Sequence, residues 1–285
     1  MAITVAYLGP AGTYTHEAML SSAVGEISPE PRSTVYETVM AVQEGDTDRA
    51  VVPIENSLEG GVAATLDALA GEADRVRIAA EVVHPIHHCL VAAQELAPER
   101  IERVLSHPQA TAQCARYLRE FLPGVERVAT PSTAEAVRTV RDAAGPWAAL
   151  ASRLSAELYG CTVLAEGVEA HPDNVTRFVW IAPVDAQPAP VEGPAKTSIV
   201  FWGFNDASPG ALVSVLRELS DRSINLTKIE SRPRRGGLGH YIFFADLEGH
   251  ERDPNVQEAL AALGGRVETL RVLGSYPVAT PTSAR

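Results

Sequence analysis

Residues 182–196 read APVDAQPAPVEGPAK, and this stretch divides the chain. Prolines at 183, 188, 190 and 194 exclude a helix and predict a stiff, extended linker. Upstream, short β-branched runs (TVAYLG, RAVVPIE, RIAAEVVH, ERVLS, RVATP, WAALAS, TRFVWIA) alternate with amphipathic helical runs, a pattern that predicts parallel strands with crossover helices. Downstream the order becomes strand, helix, two strands, helix, strand, with Gly236 and Gly237 offering a hairpin turn between the middle strands. That order is the split βαββαβ arrangement, whose open sheet edges favour pairing with a second copy. The expected division is an α/β body over 1–182, a linker over 183–195, a small βαββαβ unit over 196–275 and a disordered tail over 276–285.

Composition narrows the function. The 285 residues are 46% hydrophobic with few aromatics, as in soluble α/β proteins. The start, MAITVAYLGP, has no basic n-region, and no stretch approaches ~20 apolar residues, so the expected location is cytoplasmic. Cys89, Cys114 and Cys161 are odd in number and sit in apolar runs, which predicts buried thiols. A net charge of -12 argues against nucleic acid and membrane as partners. The only lysines, Lys196 and Lys228, lie beyond the linker. Schiff-base chemistry and a P-loop lysine are therefore closed to the larger unit, which must hold anions with arginine, polar side chains or backbone N–H groups.

Four segments can build a site. In YLGPAGTYTHEA a strand runs through Gly9, Pro10 and Gly12 into a helix that Thr13 or Thr15 would cap; such a junction suits an anion or is a plain turn. In AVVPIENSLEGGV a strand ends on Glu55, Asn56 and Ser57 before a glycine pair, at the sheet edge where ligands bind in open α/β folds. LSHPQATAQCARYL is again strand to helix, with Pro108 at the first helical position, Ser106 or His107 as cap, and Gln109 projecting from the first turn. In DNVTRFVWIA, Thr176, Arg177 and Phe178 enter an apolar strand, where an arginine holds either an anion or a protein carboxylate. His84, His87 and His88 do not share a strand face, so VVHPIHHCL is read as a core or hinge strand and no metal is expected. Ser132 to Glu135, STAE, fits a capping box.

Taken together, GPAGTYTHEA, PIENSLEGGV, SHPQATAQC and NVTRF resemble, in order and spacing, the motifs of prephenate dehydratase. SPGALVSVL and IESRP resemble those of its regulatory ACT domain. Thr15 and Thr111 depart slightly from the family pattern. The resemblance implies two periplasmic-binding-protein-like lobes with a cleft, crossings near 83–90 and 166–174, and no cofactor. It implies conversion of prephenate to phenylpyruvate, carbon dioxide and water. Thr176, Glu55, Asn56 and Gln109 become catalytic candidates; Arg177, Phe178, Ser57, Thr13 and His107 become substrate-binding candidates. L-Phenylalanine is the implied effector, bound at Pro209, Gly210, Ala211, Leu212, Asn225 and Leu226 in a homodimer or homotetramer joined through the ACT domain. Arogenate dehydratase and a non-catalytic small-anion binder or regulator stand as alternatives.

Overall fold

A computed structural model describes residues 2–143, 145–186, 193–204, 208–234 and 239–279. The first lobe contains β1 (Ile3–Leu8), α1 (Tyr14–Ser22), β2 (Ile27–Arg32), α2 (Val35–Glu44), β3 (Arg49–Asn56), β4 (Gly60–Gly61), α3 (Ala63–Ala70) and β5 (Val76–Pro85). Residues 86–88 cross to a second lobe of β6 (Cys89–Ala92), β7 (Arg103–Ser106), α4 (Pro108–Gln113), α5 (Ala115–Phe121), β8 (Glu126–Ala129), α6 (Thr133–Ala143), β9 (Trp147–Ala151), α7 (Arg153–Tyr159) and β10 (Thr162–Glu166). Residues 167–174 cross back, and β11 (Val175–Pro183) completes the first sheet. The C-terminal unit is β12 (Ala195–Trp202), α8 (Ala211–Ser220), β13 (Leu226–Pro233), β14 (Tyr241–Glu248), α9 (Pro254–Gly264) and β15 (Thr269–Pro277). Its sheet, ordered β13-β14-β12-β15, is antiparallel throughout, as the βαββαβ reading requires.

The two lobe sheets are ordered β2-β1-β3-β11-β5, with β4 beside β3, and β10-β6-β9-β7-β8. They are mixed and not purely parallel, which corrects the alternation argument. Strand β5 leads out to the second lobe and β11 comes back, so β11 runs antiparallel to β5 and to β3. For the same reason β6, entering the second lobe, opposes β10, leaving it. Strand β2 (ISPEPR) escaped the sequence reading because of Pro29 and Pro31; it lies at a sheet edge, where proline is tolerated. The long helix read in QATAQCARYLREFL breaks into α4 and α5 at Cys114, whose backbone leaves helical values at φ -98, ψ 9.

One face of the first sheet packs α1, where Ala18 and Met19 meet Val5, Tyr7, Val51 and Phe178. The other face packs α2 and α3 and also the C-terminal sheet, whose Val200, Phe244, Leu273 and Tyr276 share a core with Ile78, Val179 and Ile181. Helices α8 and α9 cover the C-terminal sheet's far side. At this contact Gly274, with φ +154, lies so close that a Cβ would sit 2.1 Å from the carbonyl oxygen of Ile78. Because β15 extends to Pro277 and Tyr276 is fully buried, the tail expected from 276 does not begin there. Residues 280–285, Pro188, Pro190 and the Gly236–Gly237 turn lie outside the described residues.

Candidate active site

The two crossings are bonded to each other. Glu169 accepts from the His88 backbone N–H at 2.8 Å and faces His87 Nδ1 at 2.8 Å, while the Ile86 and Val168 N–H groups donate to the carbonyls of Asn174 and His88. Beside them a cleft of about 710 Å³ opens between the lobes. Its walls include Thr13, Asn56, His107, Gln109, Thr176 and Phe178, six of the sequence-derived candidates. Local chemistry explains how they arrive. Thr13 caps α1 by accepting from the His16 N–H, and His107 Nδ1 caps α4 by accepting from Gln109 N–H, with Pro108 at the first helical position. Gly12, at φ +88, brings its carbonyl under the Ser152 and Ser155 hydroxyls of the second lobe, and a Cβ there would meet Ser155 Oγ at 2.6 Å.

A chain of amides fixes the reactive edge. The backbone N–H groups of Leu58 and Glu59 donate to Asn56 Oδ1, at 3.0 and 3.1 Å, so the Asn56 amide nitrogen must point the other way. It donates to Thr176 Oγ1 and to Asn174 Oδ1, each at 2.9 Å. Asn174 Nδ2 in turn donates to Gln113 Oε1 at 3.2 Å, which leaves that oxygen to accept from His88 Nε2 at 2.9 Å. The Tyr14 hydroxyl then shares its one proton between His88 Nδ1 at 2.7 Å and the His87 carbonyl oxygen at 2.8 Å. Burial lowers the His88 pKa and raises that of Tyr14 well above its usual value, which suits a neutral imidazole taking a phenol proton as a hydrogen bond. Thr176 receives a hydrogen bond from Asn56, and its own proton has no acceptor among the described residues.

Glu55, Arg177 and Ser57 are not among the cleft-lining residues. Arg177 alternates with Thr176 and Phe178 along β11, so its side chain leaves by the opposite face. There it meets Glu81 at 2.6 Å, Asp246 at 2.5 Å, the Tyr276 hydroxyl at 2.7 Å and Glu55 at 3.3 Å. Of the two uses open to this arginine, the protein carboxylates have taken it, and it is not the substrate anchor in this arrangement. Glu55 follows by a bulge. β11 pairs Arg177 with Glu55 but Phe178 with Pro53, so Ile54 is the extra residue. Strict alternation from Pro53 would put Glu55 in the cleft; the bulge sends it to Arg177 and turns Asn56 inward. Ser57 Oγ accepts from Val175 N–H at 3.0 Å and ties the two strand ends together.

Gln113, Asn174, His88 and Tyr14 line the cleft as well, and the sequence reading did not assign them to it. Gln113 had a legible signal, since it stands one helical turn after Gln109. The guanidinium groups lining the cleft are Arg32 and Arg138, held by Glu30 at 2.9 Å and Glu135 at 2.7 Å. Glu135 N–H donates to the Ser132 hydroxyl at 3.1 Å, but the Glu135 carboxylate bonds Arg138, so the STAE box is only half formed. The three histidines of VVHPIHHCL diverge to Glu17, Glu169 and Gln113. Among the described residues no His/Cys/Asp/Glu group is arranged to hold a metal, and no helix is long and apolar enough to cross a membrane.

In the C-terminal unit Gly210 takes φ +81 at the start of α8, beside Pro209 and Ala211. Leu212 and Leu226 lean on one core cluster, and Asn225 bonds Glu248 at 3.1 Å. Within one chain the two sets stand at opposite ends of α8: Gly210, Ala211 and Leu212 open the helix, whereas Asn225 and Leu226 follow its C-terminal end, where Ile224 N–H donates to the Leu219 carbonyl.

The prephenate dehydratase family profile matches residues 5–186, and the ACT domain profile matches 205–265. A prephenate dehydratase of Mycobacterium sp. (strain JLS) is 40% identical over 98% of this chain and 90% of its own length. A prephenate dehydratase from Arthrobacter aurescens, solved in complex with L-Phe, is 38% identical, with TM-score 0.89 over 98% of this chain and 92% of that one. A structure described as GqqA, a novel type of quorum quenching acylase, is 32% identical, with TM-score 0.84 over 98% of each chain. A two-lobed cleft edged by the TRF strand, backed by a βαββαβ unit and matched along nearly its whole length, makes this chain a member of the prephenate dehydratase family, an enzyme with a C-terminal ACT domain.

Proposed function

We propose that the cleft dehydrates and decarboxylates prephenate through Thr176, with the Asn56-to-Thr176 hydrogen bond as the observation that carries the reading. As the ring carboxylate leaves as carbon dioxide, its bonding pair enters the ring and the ring hydroxyl departs with the electrons of its C–O bond. The Thr176 hydroxyl, polarised by the Asn56 amide, donates to that departing oxygen, which ends as water once a proton is supplied. A positioned donor of this kind is worth about 10²- to 10⁴-fold. Gln109, Gln113 and His107 supply polar contacts to the dianion, Thr13, whose hydroxyl proton goes to the Leu8 carbonyl at 2.8 Å, shapes the wall, Arg32 and Arg138 supply positive potential, and Phe178 excludes water. Neutral donors suit this step because they stabilise an anion, and Glu135, a carboxylate that also lines the cleft, is paired with Arg138 at 2.7 Å.

The C-terminal unit is proposed to bind L-phenylalanine between paired copies, with Gly210 supplied by one copy and Asn225 by the other, because the two stand at opposite ends of α8. The complex recorded for the Arthrobacter relative supports this, and so does the left-handed Gly210 opening α8. Pairing of two copies is proposed through this unit, whose edge strand β13 exposes Ile229. A cytoplasmic location is proposed on the biosynthetic character of the relatives.

The test is turnover of purified protein with prephenate, with arogenate and with an N-acyl amide as control. Prephenate is the expected substrate. For Thr176→Ala the expected fall in kcat is about 10²- to 10⁴-fold with an unchanged melting temperature. Near-normal kcat in that variant would remove Thr176 from the chemistry.

A further inference from the structure

Arg177 sits between Thr176 and Phe178 yet touches nothing in the cleft. Its guanidinium is held by two parts of the molecule at once. Glu81 on β5 and Glu55 on β3 belong to the first lobe; Asp246 on β14 and Tyr276 on β15 belong to the C-terminal sheet. Ser198 on β12 closes the ring by bonding both Asp246 and Tyr276 at 2.5 Å. Both lysines of the chain join the same seam: Lys196 reaches Glu81 at 2.9 Å and Lys228 reaches Glu55 at 3.3 Å. Burial works against the charge on Arg177, and the facing Tyr276, Asp246 and Glu81 more than offset it, raising its pKa. The arginine is therefore a permanent, nearly buried cation shared across two units.

Its place along the strand gives the cluster consequences for the cleft. The β11–β3 register slips between Arg177 and Phe178, the step at which the Ile54 bulge turns Asn56 toward Thr176. A pull on Arg177 from the C-terminal sheet acts on the backbone one residue from Thr176.

We propose that Arg177 is a positioning residue for the dehydration, tying the Thr176–Phe178 strand to the C-terminal sheet so that the geometry of the cleft is set from the regulatory unit. This rests on the assignment of Thr176 to the reaction. Rate is sensitive to such placement, since a misplacement of about 1 Å costs up to about 100-fold.

The experiment uses the full-length enzyme with Tyr276→Phe, which removes one hydroxyl and keeps the ring, and Arg177→Lys, which keeps the charge but loses the fork. Steady-state kinetics are read well below the melting temperature of each variant, with Thr176→Ala in parallel. The expected result is a kcat lowered by about 3- to 10-fold for Tyr276→Phe and about 10- to 100-fold for Arg177→Lys, with KM within about 2-fold. The L-phenylalanine response should weaken in the same variants. Folded Tyr276→Phe with wild-type kcat and only a lower melting temperature would overturn the proposal. So would a large rise in KM at constant kcat, which would make Arg177 a substrate ligand. If Thr176→Ala abolishes turnover while the two seam variants do not change kcat, the positioning proposal alone fails. If Thr176→Ala also keeps full kcat, the assignment of Thr176 fails first.

Discussion

The first-lobe sheet meets a partner on each side, and the two contacts are made of different material. Toward the cleft, Thr176 meets Asn56, which is linked through Asn174 to Gln113, groups that carry no net charge and can trade hydrogen bonds with an incoming anion. Toward the C-terminal sheet, one residue later, Arg177 meets Glu81, Asp246 and Glu55. Buried charge is costly unless every partner is in place, and removing one partner is strongly destabilising. Such a contact suits a joint that stays closed. Amide contacts are cheaper to exchange and suit a surface that opens to substrate. The alternation of β11 keeps the two chemistries apart over a distance of one residue.

The contrast can be broken from the ionic side first. Gly274→Ala would drive a Cβ to 2.1 Å from a backbone oxygen that cannot swing away. The expected loss is above about 4 kcal/mol, in the exceptional range, measured as the urea midpoint. A midpoint close to wild type would mean that the C-terminal sheet does not rest on Ile78 in solution. Asp246→Asn removes one carboxylate from Arg177 while Glu81 remains, for an expected loss of about 3 kcal/mol. An increase in stability would show the ionic joint to be dispensable.

The smallest effect belongs to the cleft side. Burial lowers the pKa values of His88 and His16, so both are neutral in the fold while the unfolded chain takes up protons below about 6.5. Their contribution is complete above that pH and is lost as pH falls toward the lowered folded values. The slope is at most about 1.4 kcal/mol per pH unit for each histidine. Melting temperature measured between pH 7.5 and 5, as about three points per unit, should decline with acid, and His88→Gln should decline less steeply. Equal slopes would mean that His88 is not held neutral by the Tyr14–Gln113 pair.

Much of this was legible in the residues. The break at 182–196, the βαββαβ order behind it and the capping by Thr13 and His107 all follow from local chemistry. What escaped notice depended on single-residue geometry or on distant partners. Nothing in PIENS announces that Ile54 is a bulge, yet that one residue decides that Asn56 and not Glu55 faces the cleft. The destination of Arg177 could not be read from TRF, because its partners Asp246 and Tyr276 lie 69 and 99 residues away. Tyr276 falls in the expected tail by a single residue, since the strand that holds it runs on to Pro277.

The scarcity of lysine, first an exclusion of chemistries, gives the molecule a built-in reporter. Both side-chain amines lie at the joint between the units, Lys196 with 13% and Lys228 with 9% of its side chain exposed. Amine-directed reagents, which elsewhere label dozens of surface sites, find here two lysines besides the α-amino group. The rate at which they acquire label in intact protein, followed by peptide mass, is a direct clock for parting of the C-terminal sheet from the first lobe. Acetylation of either residue would remove one cation from the seam without modifying any residue of the cleft itself.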